Sequence, residues 1–102
     1  MSGYLLTPDA QTDLISIRQH TVEQWGLDQS QKYLSELRRT LQLLAKTPDL
    51  GRIRQEIGNN VLSFPHASHV IYYIKHQDKL VVFGILHKRM VPLNHLANRE
   101  IF

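Results

Sequence analysis

An α+β fold in the order β-α-α-β-β-β, with an antiparallel helical hairpin packed on a mainly antiparallel sheet and a short C-terminal helical tail, follows from three observations. Two consecutive segments carry apolar residues at helical spacing, and only Gly26 and Leu27 lie between them. The run LVVFGIL, Leu80–Leu86, has no polar side chain and is rich in β-branched and aromatic types, which suits a strand buried on both faces. Turn residues divide the rest of the second half into short extended runs.

Tyr4–Thr7 reads as a first strand that runs directly into a helix. Thr7 is suited to an N-cap, Pro8 to the first helical turn, and Asp9 to the positive end of the helix dipole. Ala10, Leu14, Ile17, Thr21 and Trp25 then form one stripe, with Gly26 as C-terminal cap, so a helix is expected over about residues 8–25. Trp25 is expected to anchor the core. Asp28 and Gln31 have the spacing of a capping box, and Tyr33, Leu34, Leu37, Leu41, Leu44 and Ala45 make the second stripe, which predicts a helix over about 29–46. The two must turn back on each other, and their joint apolar face needs a sheet to cover.

Asp49-Leu50-Gly51 and Gly58-Asn59-Asn60 are turn signals, Val61–Phe64 reads as a strand, and Pro65–Ser68 as a connection. His69–Lys75 is the next strand, joined by Gln77 and Asp78 to the run that starts at Leu80. Both of these last strands look apolar on both faces. The helices cover one face only, so a second cover is expected from the C-terminal segment, another copy or a partner chain. Pro92–Asn98 starts a short last helix.

The length of 102 residues fits one domain, 1–102, with one hydrophobic core. Cysteine is absent, which excludes disulfides and thiolate–metal sites. No basic, apolar leader and no membrane-length apolar run is found, so a cytoplasmic protein without membrane attachment is expected. The net charge of +3 is unevenly placed: residues 8–47 hold five acids and five bases, whereas residues 48–102 hold four acids against seven bases and five of the six histidines. That half would steer an acidic or nucleic-acid-associated partner, and a merely solvated basic face fits the same charges equally well. His66, His69 and His76 lack metal-ligand spacing, and no cofactor or metal is expected.

YLLTPDAQTDLISI, TVEQWG with Gln31 and Tyr33, LLAKTPDLGR, SFPHASHVIYY and ILHKRM occur in this order along the chain. Together they resemble the ParE toxins of the RelE/ParE superfamily over essentially the whole length. The resemblance implies a small α+β toxin of a bacterial toxin–antitoxin operon that stabilises the cleaved-DNA complex of DNA gyrase. It also implies a hetero-oligomer with a ParD-like antitoxin, whose C-terminal segment wraps the helical hairpin and sheet and is the expected second cover of the two-sided strands, and contact with DNA only through gyrase or the antitoxin. Ile15, Val22 and Leu43 lie off the helical stripes, and with Tyr72 they are the candidate antitoxin contacts.

The rival within the superfamily is a RelE-like nuclease that cleaves mRNA on the ribosome. In-line cleavage needs a general base, a general acid and cations for the phosphate, and His87, Glu56, Arg54 and Arg89 are the side chains available, with Arg52 as a further cation. That branch commonly has a tyrosine near its C-terminus, and none follows Tyr73 here. The favoured reading therefore has no catalytic residue, and places the target surface at His87, Lys88, Arg89 and Met90, where the apolar run ends in charge. By strict alternation His87 shares a face with Val81, Phe83 and Ile85, which also fits a structural histidine. A family member that only binds antitoxin is the third reading.

Overall fold

The structure is a computed structural model and describes residues 3–101. Its elements are β1 (Gly3–Leu6), α1 (Pro8–Trp25), α2 (Leu27–Lys46), a 3-10 turn at Pro48–Leu50, β2 (Arg52–Ile53), β3 (Leu62–His66), β4 (His69–His76), β5 (Lys79–His87) and α3 (Pro92–Leu96). The sheet order is β1-β5-β4-β3-β2, with β1 parallel to β5 and every other neighbour antiparallel. The expected α+β order holds, with one added strand. Two residues, Arg52 and Ile53, pair with Ser63 and Leu62 at the sheet edge, too short a run to show periodicity.

Thr7 caps α1 as expected, its hydroxyl accepting the Ala10 N–H at 3.2 Å. The helix junction is tighter than expected. Gly26, at φ +88°, donates its N–H to the Val22 carbonyl while its own carbonyl accepts the Ser30 N–H, so one residue ends α1 and starts α2. Only glycine takes that conformation without strain. With Gly26 in this double role α2 begins at Leu27, and the Asp28–Gln31 capping box is not formed. The buried Thr21 and Ser30 hydroxyls meet at 2.6 Å and tie the two helices near the turn. Trp25 lies beyond this tie. It is 49% exposed and packs its ring on Tyr33 at 5.9 Å, so it is a surface aromatic and not a core anchor.

Ala10 and Ile17 of α1, with Leu34, Leu37, Leu41 and Leu44 of α2, bury one face of the sheet, meeting Leu62, Ile71, Tyr73, Leu80, Val82 and Ile85. On the other face Val61, Tyr72, Ile74, Val81, Phe83 and Leu86 pack with Leu96 of α3, flanked by Ile57 and Ile101. The second cover that the two-sided strands demanded is therefore supplied by the chain itself, and not by the antitoxin to which the resemblance assigned it. Its C-terminal segment and the loop before β3 bury the outer face.

Two local features differ from the alternating pattern. β3 continues through Pro65, paired with Val70, where β2 no longer flanks it and an edge strand tolerates a proline. Ala67, at φ +50°, then makes the turn into β4. In β5 the register slips beside Tyr72 and Tyr73, with Tyr72 opposite Gly84 and Tyr73 opposite Val82, which leaves Phe83 as an extra residue. Beyond this bulge the faces exchange. Ile85 joins Leu80 and Val82 on the helical side, while Leu86 joins Val81 and Phe83 outside. His87 therefore belongs with Ile85 on the helical side and not with Val81 and Phe83.

Candidate functional site

β5 leaves the sheet through a tight turn that presents the four predicted target residues. Lys88 donates its N–H to Ser68 O at 2.8 Å, and Met90 donates to His87 O at 2.9 Å. Arg89 donates its N–H to His87 Nδ1 at 3.1 Å. His87 is half-buried, and the side chains of Lys88, Arg89 and Met90 are exposed. Backbone bonds thus fix the turn while both cations remain free to meet a partner.

Behind this turn the fold assembles a cluster that spacing along the chain gave no means of detecting. The His69 ring lies 5.5 Å from that of His87, edge to face, and its Nδ1 is 2.6 Å from the Tyr33 hydroxyl of α2. His66 Nδ1 is 2.9 Å from the Thr40 hydroxyl, and His66 Nε2 is buried with no partner among the described residues. Burial lowers the His69 pKa to about 4, aided by the neighbouring His87, His66 and His20. Burial also lowers that of His66 against the opposing pull of Glu36, and it raises that of Tyr33. At neutral pH the His69 ring is thus an uncharged wedge between α2 and the end of β5.

This cluster makes stability depend on pH. His69 binds a proton less readily folded than unfolded, so its contribution is complete above its ordinary pKa of 6.5 and is lost as pH falls from there towards 4. The loss should be on the order of 1–3 kcal/mol, discounted for water at the open side of the cluster. Thermal melts at pH 7.5, 5.5 and 4.5 should show it, and His69→Gln should flatten the profile over that window.

A cleft of about 530 Å³ separates α1 from the exit of β5 and the C-terminal segment, and Asp13, His20, Glu23, His87, Met90 and Arg99 line it. Of the four residues that a nuclease would use, His87 lines this cleft and Arg54, Glu56 and Arg89 do not. Arg54 Nε bonds Glu56 Oε2 at 2.7 Å, its Nη1 bonds Ser63 Oγ at 3.1 Å, and its guanidinium lies 5.7 Å over the ring of Tyr72. The hydrogen bond from Arg54 holds the exposed Glu56 carboxyl below its ordinary pKa. Tyr72 belongs to the outer-face core, whereas His87 stands on the helical side, so the sheet lies between Arg54 with Glu56 and His87.

The same geometry divides the predicted antitoxin contacts. Ile15 is 59% and Leu43 47% exposed, Val22 is half-buried, and Ile15 lines a groove between the helices with Leu14, Arg18, Leu34 and Arg38. Tyr72 is different. It is 3% exposed beneath Arg54 and is a core residue with no surface to offer a partner. Among the described residues no group of three or more histidines and acids is placed to hold a metal ion, and no helix is long and apolar enough to cross a membrane.

Comparison with known proteins bears on the whole of this arrangement. The fold resembles a chain of the structure titled "Chromosomal ParDE TA system from P. aeruginosa", with a TM-score of 0.74 at 17% identity over 85% of this chain and 96% of that one. Toxin ParE1 of Mycobacterium tuberculosis is 36% identical over 90 residues, 87% of this chain and 92% of its own. Toxin ParE1 of Caulobacter vibrioides is 27% identical over 97 residues, 95% of this chain and all of its own. The family described as the ParE toxin of the type II toxin–antitoxin system parDE matches residues 4–92, from β1 to the start of α3. The chain therefore belongs to the ParE toxin family and is the toxin component of a type II toxin–antitoxin system, with an antitoxin as its partner.

Proposed function

We propose that this toxin inhibits DNA gyrase by binding, stabilising the cleaved-DNA complex without chemistry of its own, and that a ParD-like antitoxin neutralises it in the cytoplasm. The observation that carries the reading, beside family membership, is the separation of Arg54 and Glu56 from His87 by the sheet. A general base and a general acid held on opposite faces of a sheet cannot act on one phosphodiester. The exposed Lys88–Met90 turn, by contrast, is rigidly held by backbone bonds and suited to contact a macromolecular target. Ile15, Val22 and Leu43 on the outside of the helical hairpin are the candidate antitoxin contacts.

The test adds purified toxin to gyrase, plasmid and ATP and looks for linear DNA after the protein is denatured. Linear DNA that disappears on adding antitoxin is the expected result. Cleavage of mRNA on translating ribosomes, with gyrase unaffected, would overturn it in favour of the nuclease branch.

A further inference from the structure

β5 changes its neighbours half-way along. From Lys79 to Val82 one of its edges pairs with β1, and the Thr7 N–H adds a bond to the Val82 carbonyl at 3.0 Å. The chain then turns into α1, so beyond Val82 no strand among the described residues lies beside that edge, although Phe83 and Ile85 are each only 2% exposed. Buried backbone groups in such a place need partners. Two side chains provide them. Asp13 Oδ2 accepts the Ile85 N–H at 2.9 Å, and Arg99 Nη1 donates to the Phe83 carbonyl at 3.1 Å.

The same two side chains bind each other, Nη1 to Oδ2 at 2.5 Å and Nη2 to Oδ1 at 3.0 Å, across 86 positions of sequence. Both are little exposed, at 15% and 14%, and Arg99 Nε also donates to His95 O, at the last turn of α3. Gly84, between the two bonded backbone groups, lets this happen. A Cβ there would stand 2.6 Å from Leu96 Cδ2 and 3.4 Å from Arg99 Nη1, so any side chain at this position would push Leu96 and crowd Arg99 away from β5. Arg99 lies beyond residues 4–92, the stretch that matches the family.

We propose that Asp13 and Arg99 are positioning residues that together replace the strand missing beside Phe83–Ile85. They fix the path on which β5 leaves the sheet, and so hold the His87–Met90 turn in its binding geometry with α3 pinned behind it. The proposal rests on the reading of that turn as the target surface. An ordinary ion pair would do less, because it could be rebuilt with the charges exchanged. The surrogate strand cannot be. With arginine at 13 nothing accepts the Ile85 N–H, and with aspartate at 99 nothing donates to the Phe83 carbonyl.

The test compares Asp13→Ala, Arg99→Gln and the exchanged pair Asp13→Arg/Arg99→Asp with the unaltered toxin. It measures Ile85 amide exchange, the amide shifts of residues 87–91, gyrase-linearised DNA and antitoxin affinity. Asp13→Ala and the exchanged pair should lose Ile85 protection roughly tenfold, equivalent to about 1.4 kcal/mol. All three should move the 87–91 shifts and lower the yield of linear DNA, with antitoxin affinity within about twofold of the original because the hairpin's outer face is untouched. An Ile85 amide that stays protected in Asp13→Ala, or an exchanged pair that restores both protection and poisoning, would overturn the proposal. Should Asp13→Ala fail to fold, Arg99→Gln keeps the Ile85 bond, and unmoved 87–91 shifts in that variant would equally overturn it. If the unaltered toxin linearises no DNA, the gyrase reading has failed, while the exchange and shift measurements still decide whether the pair positions the turn.

Discussion

Leu41→Ala should lower the unfolding free energy by about 2–5 kcal/mol, the range for truncating a large aliphatic side chain in a packed core. Leu41 is fully buried, as are its stripe neighbours Leu37 and Leu44, and all three press on the helical side of the sheet. Neighbours held by two layers of regular structure cannot collapse far into the space the leucine leaves. A domain of this size has roughly 5–15 kcal/mol in total, so the substitution should bring it close to unfolding. Urea denaturation followed by circular dichroism measures the change as a lower midpoint at constant slope. Leu43→Ala is the control on the same helix. Leu43 is 47% exposed, and its truncation should change stability by only about 0.5 kcal/mol or less.

The second large effect is on function. Lys88→Ala with Arg89→Ala should reduce gyrase-linearised DNA on the order of tenfold or more, the loss typical when a charged anchor is removed from an interface. Neither side chain is buried, and the turn is held by backbone N–H groups of Lys88, Arg89 and Met90 that survive truncation. The melting temperature and the antitoxin affinity should therefore stay as they were. A toxin titration read on an agarose gel, beside a thermal melt of the same preparation, separates the two effects. Poisoning that is undiminished by the double substitution would remove the turn from the target interface.

The architecture was legible because its signals are local. The stripe of Leu34, Leu37, Leu41 and Leu44, the cap at Thr7 and the apolar run from Leu80 each declare an element by spacing alone, and the structure keeps all three. What went unread depends on residues far apart in the chain. The bulge at Phe83 is set by register against Tyr72 and Tyr73, and it moves His87 to the helical side where strict alternation put it with Val81 and Phe83. Trp25 sits on the apolar stripe of α1, but it falls past the Thr21–Ser30 tie, at the turn end of the hairpin. Tyr72 looked available as a contact until the loop before β3 placed Arg54 over it. The Asp13–Arg99 pair and the His69–Tyr33 contact join separate elements with no sequence spacing to suggest them.

The parallel pairing of β1 with β5 has a consequence for when the toxin comes into being. Among the described residues the first strand finds its one strand partner in the last, through contacts of Gly3–Leu6 with Lys79–Val82. Contacts so distant in sequence must wait for a large loop to close, which slows folding. A chain emerging from the ribosome can form the α1–α2 hairpin early, but that hairpin has no sheet to cover until β5 follows it out. Folding of the sheet therefore waits for β5, and the turn at His87–Met90, which follows β5, is built only with it. On the proposed reading of that turn, the helical hairpin is made before the target surface exists.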